Sequence, residues 1–258
     1  MTPEVLQSRA EGRHHGLGVP FAGGGVLTFY RRDACLPSHA HDETHVWVLL
    51  DGLARYRTPD QEHGLRPGAV VVVQAGHPHA NRFGERGATC LNLPAPPSLD
   101  GPGGPVARLS GGLHADLIGL ALDAAAGAAL DRLDSETLVA EALACAGREP
   151  FRAGTIERVV EALEDNPCRP WTLGELGVLV DRHPTHLARA FRKATGLSIG
   201  AYRRRRRLLS VCRSLRQDRD SLADIALAHG YSDQAHMTRE VARALGSPPG
   251  AWRRARRC

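Results

Sequence analysis

The chain has 258 residues, 42% hydrophobic and 24% charged, a composition that suits folded domains and excludes a disordered or fibrous chain. Its net charge of +5 hides two halves of opposite sign: residues 151–258 carry 21 Arg or Lys against 11 Asp or Glu, residues 1–150 carry 12 against 17. A basic half of this size suits a polyanion such as nucleic acid, or a membrane surface.

No uncharged apolar run reaches the ~18 residues of a spanning helix, and the opening MTPEVLQSRAEGRHHG carries charges where a signal peptide has its apolar stretch. A cytoplasmic protein without a membrane partner is expected. The six cysteines (Cys35, Cys90, Cys145, Cys168, Cys212, Cys258) are far apart with no CxxC pair, so they read as reduced thiols rather than a disulfide or zinc scaffold.

From Gly23 to about Leu93, short apolar runs (GVLTFY, HVWVLL, LARYRT, AVVVV) alternate with turn signals at Asp51-Gly52, Pro67-Gly68 and Ala75-Gly76. This pattern predicts the strands and hairpins of a β-barrel or sandwich. The Pro/Gly-rich LPAPPSLDGPGGP then reads as a connection. LHADLIGLALDAAAGAALDRL and SETLVAEALACA follow, with apolar residues recurring at three and four, and predict two helices. Their apolar faces pack either on the barrel or on a second copy of the chain.

Residues 155–258 read as entirely helical and contain an internal repeat. Thr172, Glu175, Leu176 and Asp181 match Ser221, Asp224, Ile225 and Gly230 at an offset of 49; His186, Leu187, Arg189, Gly196, Tyr202 and Arg203 match His236, Met237, Arg239, Gly246, Trp252 and Arg253 at an offset of 50. Each copy predicts a short helix opened by a capping box, a turn at Asp181 or Gly230, and a second helix that ends at Gly196 or Gly246. Pro184 opens the second helix of copy one, and Ser232 is the expected N-cap in copy two. Helical spacing puts Leu187, Ala190, Phe191 and Ala194 inward and Thr185, His186, Arg189, Arg192 and Lys193 outward. In copy two it puts Met237, Val241, Ala244 and Leu245 inward and Gln234, Ala235, His236 and Arg239 outward.

A short helix, a tight turn and a second helix with a polar face make the DNA-reading helix-turn-helix. Of the Arg203–Arg207 run joining the copies, some are expected on a solvated face and those facing DNA on phosphates.

IALAHGYSDQAHMTREVARALGSPPGAWRR resembles the signature of the AraC/XylS family of bacterial transcription regulators, and TLGELGVLVDRHPTHLARAFRKATGLSIGAYRRRRRL is similar to that family's first helix-turn-helix. The resemblance implies a seven-helix domain contacting double-stranded promoter DNA through Thr185, Ala188 and Arg189 and through Gln234, Ala235, His236 and Arg239, with His186 on the same outward face. PSHAHDETHVWVLLDG and LRPGAVVVVQAGHPHA are similar to the two motifs of the cupin-type sensor barrel. That likeness implies a ligand set of His39, His41, His45 in the place of the usual Glu, and His79.

Residues two apart on a strand face the same way, so His39 and His41 can converge, and neutral imidazole suits zinc, nickel, copper or iron. The four histidines either hold such a divalent metal or line the pocket of an organic effector.

The expectation is a two-domain α+β chain. Residues 1–147 form a cupin-like β-barrel with following helices, for sensing and dimerisation; residues 148–154 are a linker; residues 155–258 form an all-α double helix-turn-helix. Its function is that of a homodimeric activator-type regulator responding to a small molecule or metal, without catalysis. The alternative is a metal-dependent cupin dioxygenase or isomerase with a basic helical appendage.

Overall fold

The computed structural model describes residues 16–21, 24–95, 104–127, 137, 140–142, 144, 154–165, 167–217 and 219–254. Eight strands precede the helices: β1 (Gly16–Pro20), β2 (Val26–Tyr30), β3 (Cys35–His39), β4 (His45–Arg57), β5 (Glu62–Leu65), β6 (Ala69–Val73), β7 (His79–Pro94) and β8 (Gly104–Arg108). They form one antiparallel sheet in the order β1-β2-β7-β4-β6-β8, with β3 on β7 and β5 on β4.

The expected barrel is therefore not a closed ring among the described strands. The path starts at β1 and ends at β8 because the long β4–β7 ribbon serves different neighbours at its two ends. Residues 45–48 of β4 pair with β6, and residues 54–57 pair with β5. Both faces of this ribbon are apolar: Val46, Val48 and Leu50 join one buried cluster, and Trp47 and Leu49 join another with Val71, Phe83 and Cys90.

Between these ends the β4–β7 register shifts at Leu49/Asp51 and again at Gly52/Ala54. Gly52 has φ +87°, and a Cβ there would lie 2.1 Å from the Gly87 carbonyl oxygen. Only glycine fits this left-handed, close-packed position beside Asp51, which stays paired with Thr89 between the two shifts.

Helix α1 (Gly111–Ala126) follows, capped by Ser110, whose Oγ accepts from the Leu113 N–H, and closed by Gly127 at φ 72°. Most of the second helix predicted in this region, over SETLVAEALACA, lies outside the described residues. Next come α2 (Thr155–Asp165), α3 (Leu173–Leu179), α4 (Pro184–Thr195), α5 (Ile199–Gln217), α6 (Leu222–Ala228), α7 (Gln234–Leu245) and α8 (Pro249–Arg254). These seven helices match the expected number.

The repeat holds in three dimensions. Helices α3 and α6 have seven residues each and both open with a complete capping box, Thr172 with Glu175 and Ser221 with Asp224. Helices α4 and α7 have twelve each and end at Gly196 and Gly246 in the left-handed region. The turns place Asp181 at φ 52° and Gly230 at φ 73°, so Asp occupies in copy one a conformation that glycine takes freely in copy two.

Three local expectations need correction. Asp233, not Ser232, caps α7: its carboxylate accepts from the His236 N–H at 2.7 Å, while Ser232 Oγ donates to Asp233. Ala190, Ala194 and Ala244 are exposed rather than buried, because the buried stripes are Leu187, Phe191 and Thr195 in α4 and Met237, Glu240, Val241 and Leu245 in α7.

The arginine run of α5 faces largely inward, with only Arg204 of the five exposed. Arg203 donates to the Trp171 and Arg169 carbonyls, Arg205 to the Ala115 carbonyl and Arg207 to Glu240. Internal hydrogen bonds thus engage half-buried side chains at these positions in place of a fully solvated face.

The two halves share a core. Leu117, Ile118 and Ala121 of α1 belong to one buried cluster with Val48 and Leu50 of β4 and with Leu208, Leu209 and Leu215 of α5. Across this contact Asp51 accepts from Arg206 at 2.6 Å, from Ser210 at 2.8 Å and from Arg213, while Arg206 also pairs with Glu164 and donates to the Leu50 carbonyl. Burial and the nearby Arg86 charge lower Arg206 to about 9, which leaves it cationic at neutral pH.

His114 of α1 lies 3.0 Å from the Leu50 carbonyl and 3.0 Å from the Tyr202 hydroxyl, which in turn is 2.9 Å from Glu164. Burial, with Arg206 and Arg108 nearby, depresses His114 to about 3; burial, with Arg213 nearby, does the same to His229.

Two outcomes follow. Gly52→Ala destabilises the chain by about 2–4 kcal/mol, read as a shift in the urea midpoint, through the left-handed backbone and the clash with Gly87. Acid also destabilises: between pH 6.5 and about 3 the unfolded state takes up protons at His114 and His229 that the folded state refuses. Stability therefore falls as pH drops through this window, by up to about 1.4 kcal/mol per pH unit for each histidine. His229→Gln should remove one share of that slope, and an unchanged slope would contradict the assignment.

Candidate nucleic-acid interface and sensor site

The outward faces of α4 and α7 hold the residues expected to read DNA. Thr185, His186 and Arg189 are exposed on α4 with Ala188 half-buried, and Gln234, Ala235 and Arg239 are exposed on α7. His236 is more committed than expected. Its Nδ1 is 3.2 Å from Ser232 Oγ, its Nε2 is 3.8 Å from Glu240, and its ring stands edge-on to Tyr231.

The same Glu240 holds Arg207, whose guanidinium lies over the Tyr231 ring, so this end of α7 is tied to α5. The face of α4 adjoining Arg189 lines a groove of about 680 Å³ with Arg182, His183, His186 and Lys193, opposite Thr155 and Ile156 of α2. Such cations beside a reading helix suit phosphate oxygens.

The second site lies at one end of the sheet. His39, His41 and His79 bring one ring nitrogen each within 4.8 Å of one another. His39 ends β3 and His79 begins β7, where they are paired partners, but His41 lies beyond β3 in the turn to β4. The expected convergence on one strand face is thus achieved by strand and turn together.

His45 opens β4 and packs edge-on against His41, with ring centroids 4.5 Å apart, without joining the three-nitrogen set. The His79 ring stacks on Tyr56. His77 is exposed, as expected.

Backbone carbonyls fix two of these rings. His39 Nδ1 is 2.8 Å from the Pro37 carbonyl and His79 Nδ1 is 3.3 Å from the His77 carbonyl. A carbonyl only accepts, so each Nδ1 carries a proton and Nε2 is the ring nitrogen left to ligate. Burial first and the neighbouring imidazoles next lower His45 and His79 to about 4 and depress His41, so these three are neutral near pH 7. This donor set fits a transition-metal ion and has no carboxylate for magnesium or calcium.

Two helix-turn-helix units on an internal repeat, joined to an antiparallel sheet domain, have the form of a DNA-binding regulator. The AraC-like ligand binding domain model matches residues 26–143 and a helix-turn-helix domain model matches residues 179–255. The chain belongs to the AraC/XylS family: it is a DNA-binding transcription regulator with an N-terminal ligand-binding domain of the cupin type.

The multiple antibiotic resistance protein MarA of Escherichia coli (strain K12) is 28% identical over 99 residues, 38% of this chain and 78% of that protein. The probable transcription factor PqrA of Proteus vulgaris is 40% identical over 68 residues, 26% of this chain and 56% of PqrA. The structure of ToxT from Vibrio cholerae aligns over 88% of this chain and 96% of its own, at 6% identity and a TM-score of 0.38. Among the described residues no helix is long and apolar enough to cross a membrane.

Arg189→Ala and Arg239→Ala should each weaken binding to selected DNA by about 1–3 kcal/mol and relax sequence preference at one position, in segments about one helical turn apart. The measurement is a binding titration across single-base variants. An equal loss on every sequence would assign that arginine to phosphate instead.

Proposed function

We propose that the protein senses a divalent transition metal, or a small molecule held by it, at His39, His41 and His79, and couples this to binding of double-stranded promoter DNA through α4 and α7. The observation that carries the reading is the set of three converging imidazoles, two of them with Nδ1 tied to backbone carbonyls and Nε2 left to ligate. When bound, zinc, nickel, copper or iron would supply a Lewis-acidic cross-link at this edge of the sheet. His45 supports the His41 ring and is the fourth candidate ligand.

The base-reading roles assigned to Thr185, His186, Ala188, Arg189, Gln234, Ala235, His236 and Arg239 rest on the family resemblance and on the exposure of most of these side chains. A homodimer and a cytoplasmic, activating regulator are likewise carried from the family. The buried face of α1 is taken up within the chain, so dimerisation would use another surface. The histidine cluster is read as a sensor rather than a catalytic centre, since the β4 strand that begins at His45 continues to Asp51 and the DNA-binding half.

The test is elemental analysis and metal titration of the full chain against His41→Ala and His79→Ala, with promoter binding measured before and after chelation. Wild type should retain about one equivalent of metal per chain and each variant much less. DNA binding should change on chelation in wild type alone. Equal metal content in wild type and variants, with chelation leaving DNA binding unchanged, would make the cluster an ordinary pocket lining.

A further inference from the structure

We infer that helix α1 of the sensor half braces the two helix-turn-helix units at a fixed separation, with Asp51 and Gly112 as positioning residues for DNA binding. The inference goes beyond the family assignment and rests on its DNA-binding reading.

The two units do not share a core of their own. Leu176, Val180, Leu187 and Phe191 of the first belong to one buried cluster, and Ile225, Ala226, Met237, Val241 and Leu245 of the second belong to another. Two of the described helices enter both clusters. Helix α5 contributes Tyr202 to the first and Leu208, Leu209 and Leu215 to the second; α1 contributes Ala115 to the first and Leu117, Ile118 and Ala121 to the second.

A single connecting helix leaves two small domains free to twist about its axis and to bend. A second rod attached along its length removes that freedom. Here the attachment is made at both ends, where Arg205 donates to the Ala115 carbonyl and Arg216 to the Ala125 carbonyl, each at 3.3 Å.

At the start of α1, Gly112 lies so close to the last turn of α4 that a Cβ would sit 2.6 Å from the Ala194 carbonyl oxygen. Asp51 then ties α5 to strand β4 through Arg206, Ser210 and Arg213. Thr185, Arg189, Gln234 and Arg239 stay exposed with the sensor docked, so it does not cover these reading positions. What docking controls is their spacing, since reading helices must enter major-groove segments ~34 Å apart and a prearranged pair loses less freedom on binding.

The experiment uses the full chain and a duplex selected by wild type from a randomised pool, together with the same duplex carrying one extra base pair between the two recognised segments. Fluorescence anisotropy gives the affinity of wild type, Gly112→Ala and Asp51→Asn for both, and circular dichroism checks folding.

Wild type should lose about tenfold on the insertion. Each variant should bind the selected duplex several-fold more weakly yet distinguish the two duplexes by no more than about threefold, a change of ratio that general destabilisation does not produce. Asp51→Asn leaves buried guanidinium groups short of counter-charge, so if it does not fold, Gly112→Ala, which adds one methyl at the edge of the contact, decides.

Folded variants that keep the wild-type ratio, or a wild type that binds both duplexes equally, overturn the brace. A wild type that selects no DNA overturns the DNA-binding reading itself.

Discussion

The arrangement of the whole chain depends on one buried carboxylate. Asp51 is 2% exposed, and its charge is met by Arg206, Arg213 and Ser210, all from the helix that joins the two helix-turn-helix units. Moving such charges out of water costs several kcal/mol, and their attraction restores this only when every partner is in place. The network is therefore a stronger constraint on geometry than a source of net stability. It selects one docking of sheet on helix, which the apolar contact of α1 with α5 then fills.

This docking changes how the basic half is understood. Its charge excess is real, but much of the α5 arginine run lies inside, donating to backbone carbonyls of α1, of the α2–α3 connection and of β4 and to the carboxylates of Asp51, Glu164 and Glu240. Arginine suits that work because its planar fork serves several acceptors at once and stays charged even when buried. The cations of the outward faces are Arg182, Arg189, Arg192 and Lys193 around α4 and Arg239 and Arg243 on α7. The basic half thus spends one set of arginines on its own architecture and presents another to a polyanion.

The histidine end of the sheet domain follows the same economy of parts. Strand β4 starts at His45, beside the histidine cluster, and six residues later presents Asp51 at the bulge that Gly52 permits. One strand thus runs from the edge of the histidine cluster to the docking carboxylate, and its intervening residues Val46, Trp47, Val48, Leu49 and Leu50 are buried on both faces. A segment packed on both sides has little room to deform locally, so displacement at one end is resisted along its length.

Much of this was legible in the chain. The strand pattern, the capping boxes at Thr172 and Ser221, the one-residue step in the repeat and the outward positions of α4 and α7 are short-range signals, set by hydrogen bonding and periodicity within a few residues. The histidines were found as a motif, although His41 reaches the cluster from a turn rather than a strand. What only the tertiary structure decided were the relations between distant segments: the open path of the sheet, the inward role of Arg203 and Arg205–Arg207, and the use of α1 within the chain. An arginine run has the same periodicity whether it meets phosphate or a buried Asp51 155 residues away, and an apolar helix face does not carry the identity of its partner. Those choices are made by complementary charge and shape across the fold, which no local spacing encodes.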